Sequence, residues 1–172
     1  MVLPEVVDLD AIQAILERRS VRAYRPQPIP DQDLQTILEC GRRAPSAANR
    51  QPWRFVVITE PTLKQEVARA CANQMWMADA GAIIALVGLP EVSPNWYLVD
   101  AGIALENMVI AARALGYGSC WVGAFDQDRL RNLLKLSILE RVVALSPFGV
   151  PVEWPPARQR KEPHEVFVFN PH

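Results

Sequence analysis

The sequence predicts one α+β domain. Helical and strand segments are interleaved along the chain without the regular βαβ alternation of a doubly wound fold. The length, 172 residues, is that of one ordinary domain. Half the residues are hydrophobic and 22% are charged, which suits a soluble globular chain with a sizeable core. The single domain is therefore expected to span 1–172.

The elements follow in order from period, caps and breakers. Asp8 or Asp10 can cap a first helix that carries Leu9, Ile12, Ile15 and Leu16 at helical spacing. Pro26 and Pro28 prevent its continuation. Pro30-Asp31 opens a second helix with Leu34, Ile37, Leu38 and Gly41 on one face, ending near Ala44-Pro45. The polar loop PSAANRQP (45–52) leads into a buried strand, WRFVVIT (53–59). Pro61 begins a third helix through Leu63, Val67 and Ala70, and AIIALVG (82–88) is a second strand.

The longest helix is expected from Tyr97 to Leu115. Its small residues, Ala101, Gly102, Ala104, Ala111 and Ala112, allow close backbone approach. It is apolar on more than one side, which a surface shared with a second copy of the chain would explain. GYGSCWVG (116–123) is a third strand, DQDRLRNLL (126–134) a capped helix and RVVALSPFGVP (141–151) a fourth strand. A proline-stiffened arm, WPPARQRKEPHE (154–165), precedes a final short strand, VFVF (166–169).

Composition excludes several classes. Lys+Arg 18 against Asp+Glu 19 leaves a net charge of −1, so any basic site must be local and nucleic acid is not an expected partner. Cys40, Cys71 and Cys120 are widely spaced, and the two histidines, His164 and His172, lie near the C-terminus; this excludes a zinc motif and a disulfide framework. The start, MVLPEVVDLD, lacks the plan of a signal peptide, and the longest apolar run, 80–89, is too short to span a bilayer. A cytoplasmic protein without a membrane partner is expected.

The chemistry-bearing segments are few. Arg18, Arg19, Arg22 and Arg25 fall within eight residues, with Ser20 among them. Guanidinium forks and a hydroxyl suit a phosphate, and a solvated basic turn is the alternative. Arg158 and Arg160 alternate in the arm and could meet the first cluster around one anion. Pro45 and Pro52 pin a loop that offers Ser46, Asn49 and Gln51 to a ligand, or simply form a turn. Asn73 either ends the third helix or contacts a ligand. Gly123 either serves the strand or offers backbone N–H to a flat molecule. Ser20, Ser46 and Ser119 have no neighbouring His, and the pairs Asp31/Asp33 and Asp126/Asp128 are placed as helix caps. With so few acid–base groups, a cofactor is expected to carry any chemistry.

Six segments in this order, ERRSVRAY, APSAANRQPWRF, ANQMWMADAGAIIAL, DAGIALENMVIAARALGYG, CWVGAFD and RQRKEPHEV, resemble the FMN-dependent nitroreductase family, in its short form. The resemblance implies an antiparallel-rich mixed sheet flanked by helices, in a homodimer with two FMN sites at its interface. It also implies hydride transfer from NAD(P)H through FMN to a small electron-poor acceptor such as a nitroaromatic or quinone. Dehalogenating and flavin-fragmenting relatives, and a flavin-binding protein without turnover, are the alternatives.

By position, Arg18, Arg19, Ser20 and Arg22 stand at the motif that holds FMN; Arg18 and Ser20 would take the phosphate and Arg22 the pyrimidine edge of the ring. Arg158 and Arg160 would bring further cations to the phosphate. Pro45, Ser46, Ala47 and Asn49 would come from the second subunit, Asn73 would bond the ring edge, and the Gly123 and Ala124 backbone would approach N5 and O4. The arm, about 151–172, would wrap the partner. Three positions depart from the family pattern: Gly123-Ala124 replaces a common Glu-Gly, the arm has KEPHE where a KPLEE-like run is common, and Trp76 stands where some members carry lysine.

Overall fold

The computed structural model describes residues 10–170, in which six helices and four strands alternate irregularly. They are α1 (Ala11–Glu17), α2 (Asp31–Arg42), β1 (Trp53–Ile58), α3 (Pro61–Ala70), β2 (Ala82–Gly88), α4 (Tyr97–Ala114), β3 (Gly118–Ser119), α5 (Gln127–Leu133), β4 (Arg141–Gly149) and α6 (Pro163–Val166). Short 3-10 turns at Ala47–Asn49 and Met75–Asp79 precede β1 and β2. The α+β expectation holds.

The sheet runs in the order β1-β2-β4-β3, and every pairing in it is antiparallel. A parallel bridge, Ser20 to Ser119, adds the arginine stretch to its edge and makes the arrangement mixed. β2 is buried along its whole length because helices cover both sheet faces. Its alternate residues therefore serve two cores. Ala82, Ile84 and Leu86 pack with Ile37, Leu105 and Met108 of α2 and α4. Ile83, Ala85 and Val87 pack with Val67 and Leu130 of α3 and α5. Burial of each Ile or Leu on this strand contributes roughly 1.5–3 kcal/mol.

Local signals explain the helix ends. The Asp10 carboxylate accepts from Gln13 N–H at 2.9 Å and starts α1; Asp8 and Leu9 lie outside the described residues. Glu60 accepts from Thr62 and Leu63 N–H ahead of Pro61, and Asp126 accepts from Asp128 and Arg129 N–H at α5. Asp31 and Asp33 sit in the first turn of α2 rather than capping it, since Pro30 occupies the cap. Asp33 instead accepts a hydrogen bond from the buried Tyr117 hydroxyl.

Two strand expectations are corrected. The 166–169 segment is not a strand: Val166 ends α6, which a Glu162/Glu165 capping box starts, and 167–169 join no strand of the described sheet. The third strand keeps only two ladder residues, although Val122 still exchanges both backbone hydrogen bonds with Leu145 (2.8 and 3.0 Å). The apolar stripe of α1 faces outward, with Ile12 69% and Leu16 70% exposed and only Ala14 buried. α4 likewise leaves Leu98, Val99 and Ile103 exposed beside Trp96 at its N-terminus.

At Gly149 a methyl group would sit 2.9 Å from Gly81 N and 3.2 Å from Ala80 Cα, backbone atoms that cannot swing aside. Gly123 has nothing within 4 Å of the same position. In urea denaturation Gly149→Ala is expected to lose about 1–3 kcal/mol, whereas Gly123→Ala stays within about 0.5 kcal/mol. Equal losses would contradict the packing described.

Candidate functional site

Backbone pairing brings the two arginine clusters together. Val21 N–H donates to Ser119 O at 3.0 Å on one side of the stretch. On the other, Arg25 N–H donates to Val150 O (2.9 Å) and Val152 N–H to Ala23 O (3.0 Å), around an antiparallel Tyr24–Pro151 bridge. Tyr24, 4% exposed, anchors this junction by donating its hydroxyl to Val21 O at 2.8 Å. A cleft of about 290 Å³ results, lined by Arg18, Arg19, Ser20, Arg22, Ala23, Glu153, Pro155, Pro156, Arg158 and Arg160. Five guanidiniums face one carboxylate, an arrangement suited to an anion.

The arginines are held differently. Arg18 Nε pairs with Glu106 Oε1 at 3.1 Å, while Glu106 Oε2 accepts from Trp121 Nε1–H at 2.8 Å. Glu106 thus links Arg18, which lines the cleft, to Trp121. Arg19 Nη1 donates to Leu16 O and Arg18 O (3.0 and 2.8 Å), closing the end of α1. Arg22 lies 6.0 Å from the centroid of Trp76, which stacks on Tyr24 at 6.3 Å. Where a lysine could stand, this chain thus places an aromatic ring against Arg22. Arg160 Nη1 donates to Arg158 O at 3.2 Å within the arm.

Burial holds the nearby thiols protonated. It pushes Cys71 up to about 12, and it raises Cys120 against the opposing effects of Arg22, a Ser20 hydrogen bond and Arg18. Neither thiol is a ready nucleophile.

Gly123 and Ala124 lie on a segment fastened to the end of α3, the helix that Asn73 follows. Asp126 N–H donates to Ala70 O at 2.9 Å, tying the 123–126 segment to the end of α3. Asn73 follows in the left-handed region (φ 57°) and is exposed, as are Gly123 and Ala124. Trp76, three residues after Asn73, lies beside Arg22 of the cleft. The free space over Gly123 allows a flat molecule to approach its backbone.

The 45–49 loop does not line the arginine cleft. Pro45, Ser46 and Ala47 line a separate apolar groove of about 290 Å³ with Trp96, Val99, Asp100 and Ile103. Ala48, Asn49 and Gln51 all adopt left-handed φ (51°, 54° and 50°), a strained run that needs support from its surroundings. Ala47 N–H donates to Asp100 Oδ1 at 3.1 Å, and Gln51 N–H to Ser46 Oγ at 2.9 Å. Asp100 is 2% exposed and its Oδ2 has no partner.

Glu106, Glu153 and Asp100 are functional-site neighbours that sequence reasoning did not single out. Their contacts are long-range, and isolated acids carry no motif.

A family model described as the nitroreductase family matches residues 15–88 and 72–150. An NADH dehydrogenase of Thermus thermophilus is 32% identical over 181 residues, covering 84% of this chain and 88% of that protein. The crystal structure of a nitroreductase family protein from Clostridium novyi superposes with a TM-score of 0.78 at 33% identity, covering 83% and 86% of the two chains. The NADPH:FMN oxidoreductase of Vibrio harveyi, solved with NAD+, gives a TM-score of 0.86 at 25% identity over 94% of this chain and 77% of that one. With its sheet order, its arginine cleft and these matches, the chain belongs to the nitroreductase family.

Proposed function

We propose that the protein is an NAD(P)H-dependent FMN oxidoreductase acting on a small electron-poor acceptor, a nitroaromatic or quinone. The observation that carries this reading is the convergence of Arg18, Arg22, Arg158 and Arg160, more than 130 positions apart at the extremes, on one cleft. A phosphate monoester fits that donor set, and the open backbone at Gly123 fits the edge of a planar ring. The names of two relatives point the same way, the NADPH-flavin oxidoreductase of Vibrio harveyi and the FMN reductase of Bacillus subtilis.

FMN, when bound, would supply the hydride chemistry between the nicotinamide and the acceptor, in a ping-pong cycle. The chain's own residues bind and orient. Arg18, Ser20, Arg158 and Arg160 hold the phosphate, with Arg19 closing the helix beneath them. Arg22 puts a fixed positive charge where negative charge grows on the ring's pyrimidine edge, favouring the reduced state. Asn73 and the Gly123–Ala124 backbone bond the ring edge. Residues 45–49, which sit apart from the cleft in one chain, reach the cofactor of a second copy. The outward apolar faces of α1 and α4 and the exposed Phe167 and Phe169 fit that homodimer, with the arm lying over the partner. Among the described residues, no helix is long and apolar enough to cross a membrane.

Three outcomes are expected. After soaking in FMN and desalting, the protein should retain a flavin band that NADPH or NADH bleaches without oxygen, and steady-state plots with a quinone should be parallel. A retained band that neither nucleotide bleaches would support a binding protein instead. Arg18→Ala combined with Arg160→Ala should weaken FMN binding by about 100-fold or more, so that gel filtration strips the cofactor; tight retention would remove the phosphate assignment. Arg22→Ala should lower the flavin midpoint potential by about 30–60 mV, and an unchanged potential would place that charge away from the ring.

A further inference from the structure

We infer that Arg113 and Trp154 form a latch that positions the arm's cations, Arg158 and Arg160, in the anion cleft. This rests on the FMN reading above and concerns residues that do not line the cleft. The last backbone hydrogen bond from the body to the arm, among the described residues, is the one between Val152 N–H and Ala23 O. Beyond it, Pro155 and Pro156 stiffen the chain but do not fasten it. The fastening is at Trp154, whose ring lies 4.1 Å from the Arg113 guanidinium carbon.

Arg113 is an unusual residue for the last turn of α4, because its side chain is only 10% exposed. Nη2 pairs with Glu17 Oε2 at 2.8 Å, and the buried Nε has no acceptor. A desolvated guanidinium is drawn strongly to an aromatic face. The position matters as much as the strength. Glu17 directly precedes Arg18, and Trp154 stands four residues before Arg158. One buried cation thus sets the spacing between the two halves of the cleft. Without the ring contact, residues 153–162 are free to swing, and each binding event must order them. Arg113 and Trp154 touch no ligand in this scheme; they are positioning residues.

The test uses the full chain stripped of flavin and titrated with FMN and with riboflavin, which lacks the phosphate. Trp154→Ala is expected to weaken FMN about tenfold and leave riboflavin affinity unchanged, with Trp154→Phe recovering most of the loss. In an Arg158→Ala/Arg160→Ala background, Trp154→Ala should cost nothing further, since the cations it positions are gone. Riboflavin affinity falling in parallel, or a Trp154 effect that persists in the triple variant, would overturn the latch. A wild-type chain that binds FMN normally while Trp154→Ala matches it would overturn the latch alone. A wild-type chain that binds no FMN would overturn the cofactor reading as well.

Discussion

Two backbone hydrogen bonds, Arg25 N–H to Val150 O and Val152 N–H to Ala23 O, hold the candidate site together. They join a segment near the start of the chain to the end of the central sheet, so that two arginine clusters face each other. Five like charges in one cleft repel, and that repulsion has to be offset locally. Glu106 takes Arg18 through Nε, Arg19 turns to carbonyl oxygens, and Glu153 joins the lining. The offset is partial. Net positive charge remains in the cleft, and a bound anion is the most economical way to remove it.

The sheet matters to function mainly through rigidity. β2 is packed on both faces, and β4 beside it carries the chain directly into Val150 and the arm. The proposed site residues sit at the ends of these elements: Ser20 beside β3, Asn73 past α3, Gly123 past the Val122–Leu145 bridge. Such placement lets polar backbone face outward while the apolar frame fixes its direction. Cys120 illustrates the boundary. Burial raises its thiol despite the opposing cations of the cleft, so Cys120 is not a ready nucleophile.

Much of this was legible in the sequence because it is local. Proline breaks, the acidic caps at Asp10 and Asp126, and the continuous apolar run of β2 act over a few residues, and the elements appear where those signals put them. The meeting of Arg18–Arg22 with Arg158–Arg160 was legible as a possibility from charge clustering. What escaped depends on distant partners. VFVF has strand propensity, yet Val166 is taken into α6 by the capping box before it and 167–169 join no strand of the described sheet. The helical spacing of Ile12 and Leu16 identified a helix correctly, yet period alone cannot say which neighbour the stripe meets. Arg113 beside Trp154, and Glu106 between Arg18 and Trp121, join residues 41 and 88 or 15 positions away in ways that no spacing rule encodes.

The features left unmatched in one chain are of a single kind. The 45–49 loop is strained and carefully supported, but it faces a groove with no polar ligand of its own beyond Asp100. Asp100 spends one carboxylate oxygen on that loop and keeps the other buried and unpaired, which is costly unless a donor arrives. Around it Trp96, Val99 and Ile103 expose an apolar surface continuous with the groove. Strain, an orphan acceptor and an apolar rim in one place are hard to explain as the surface of an isolated protein. They are coherent as one half of an interface whose other half brings both the missing donor and the flavin-bearing cleft. On the proposed reading, dimerisation therefore completes the site chemically rather than merely enlarging the core.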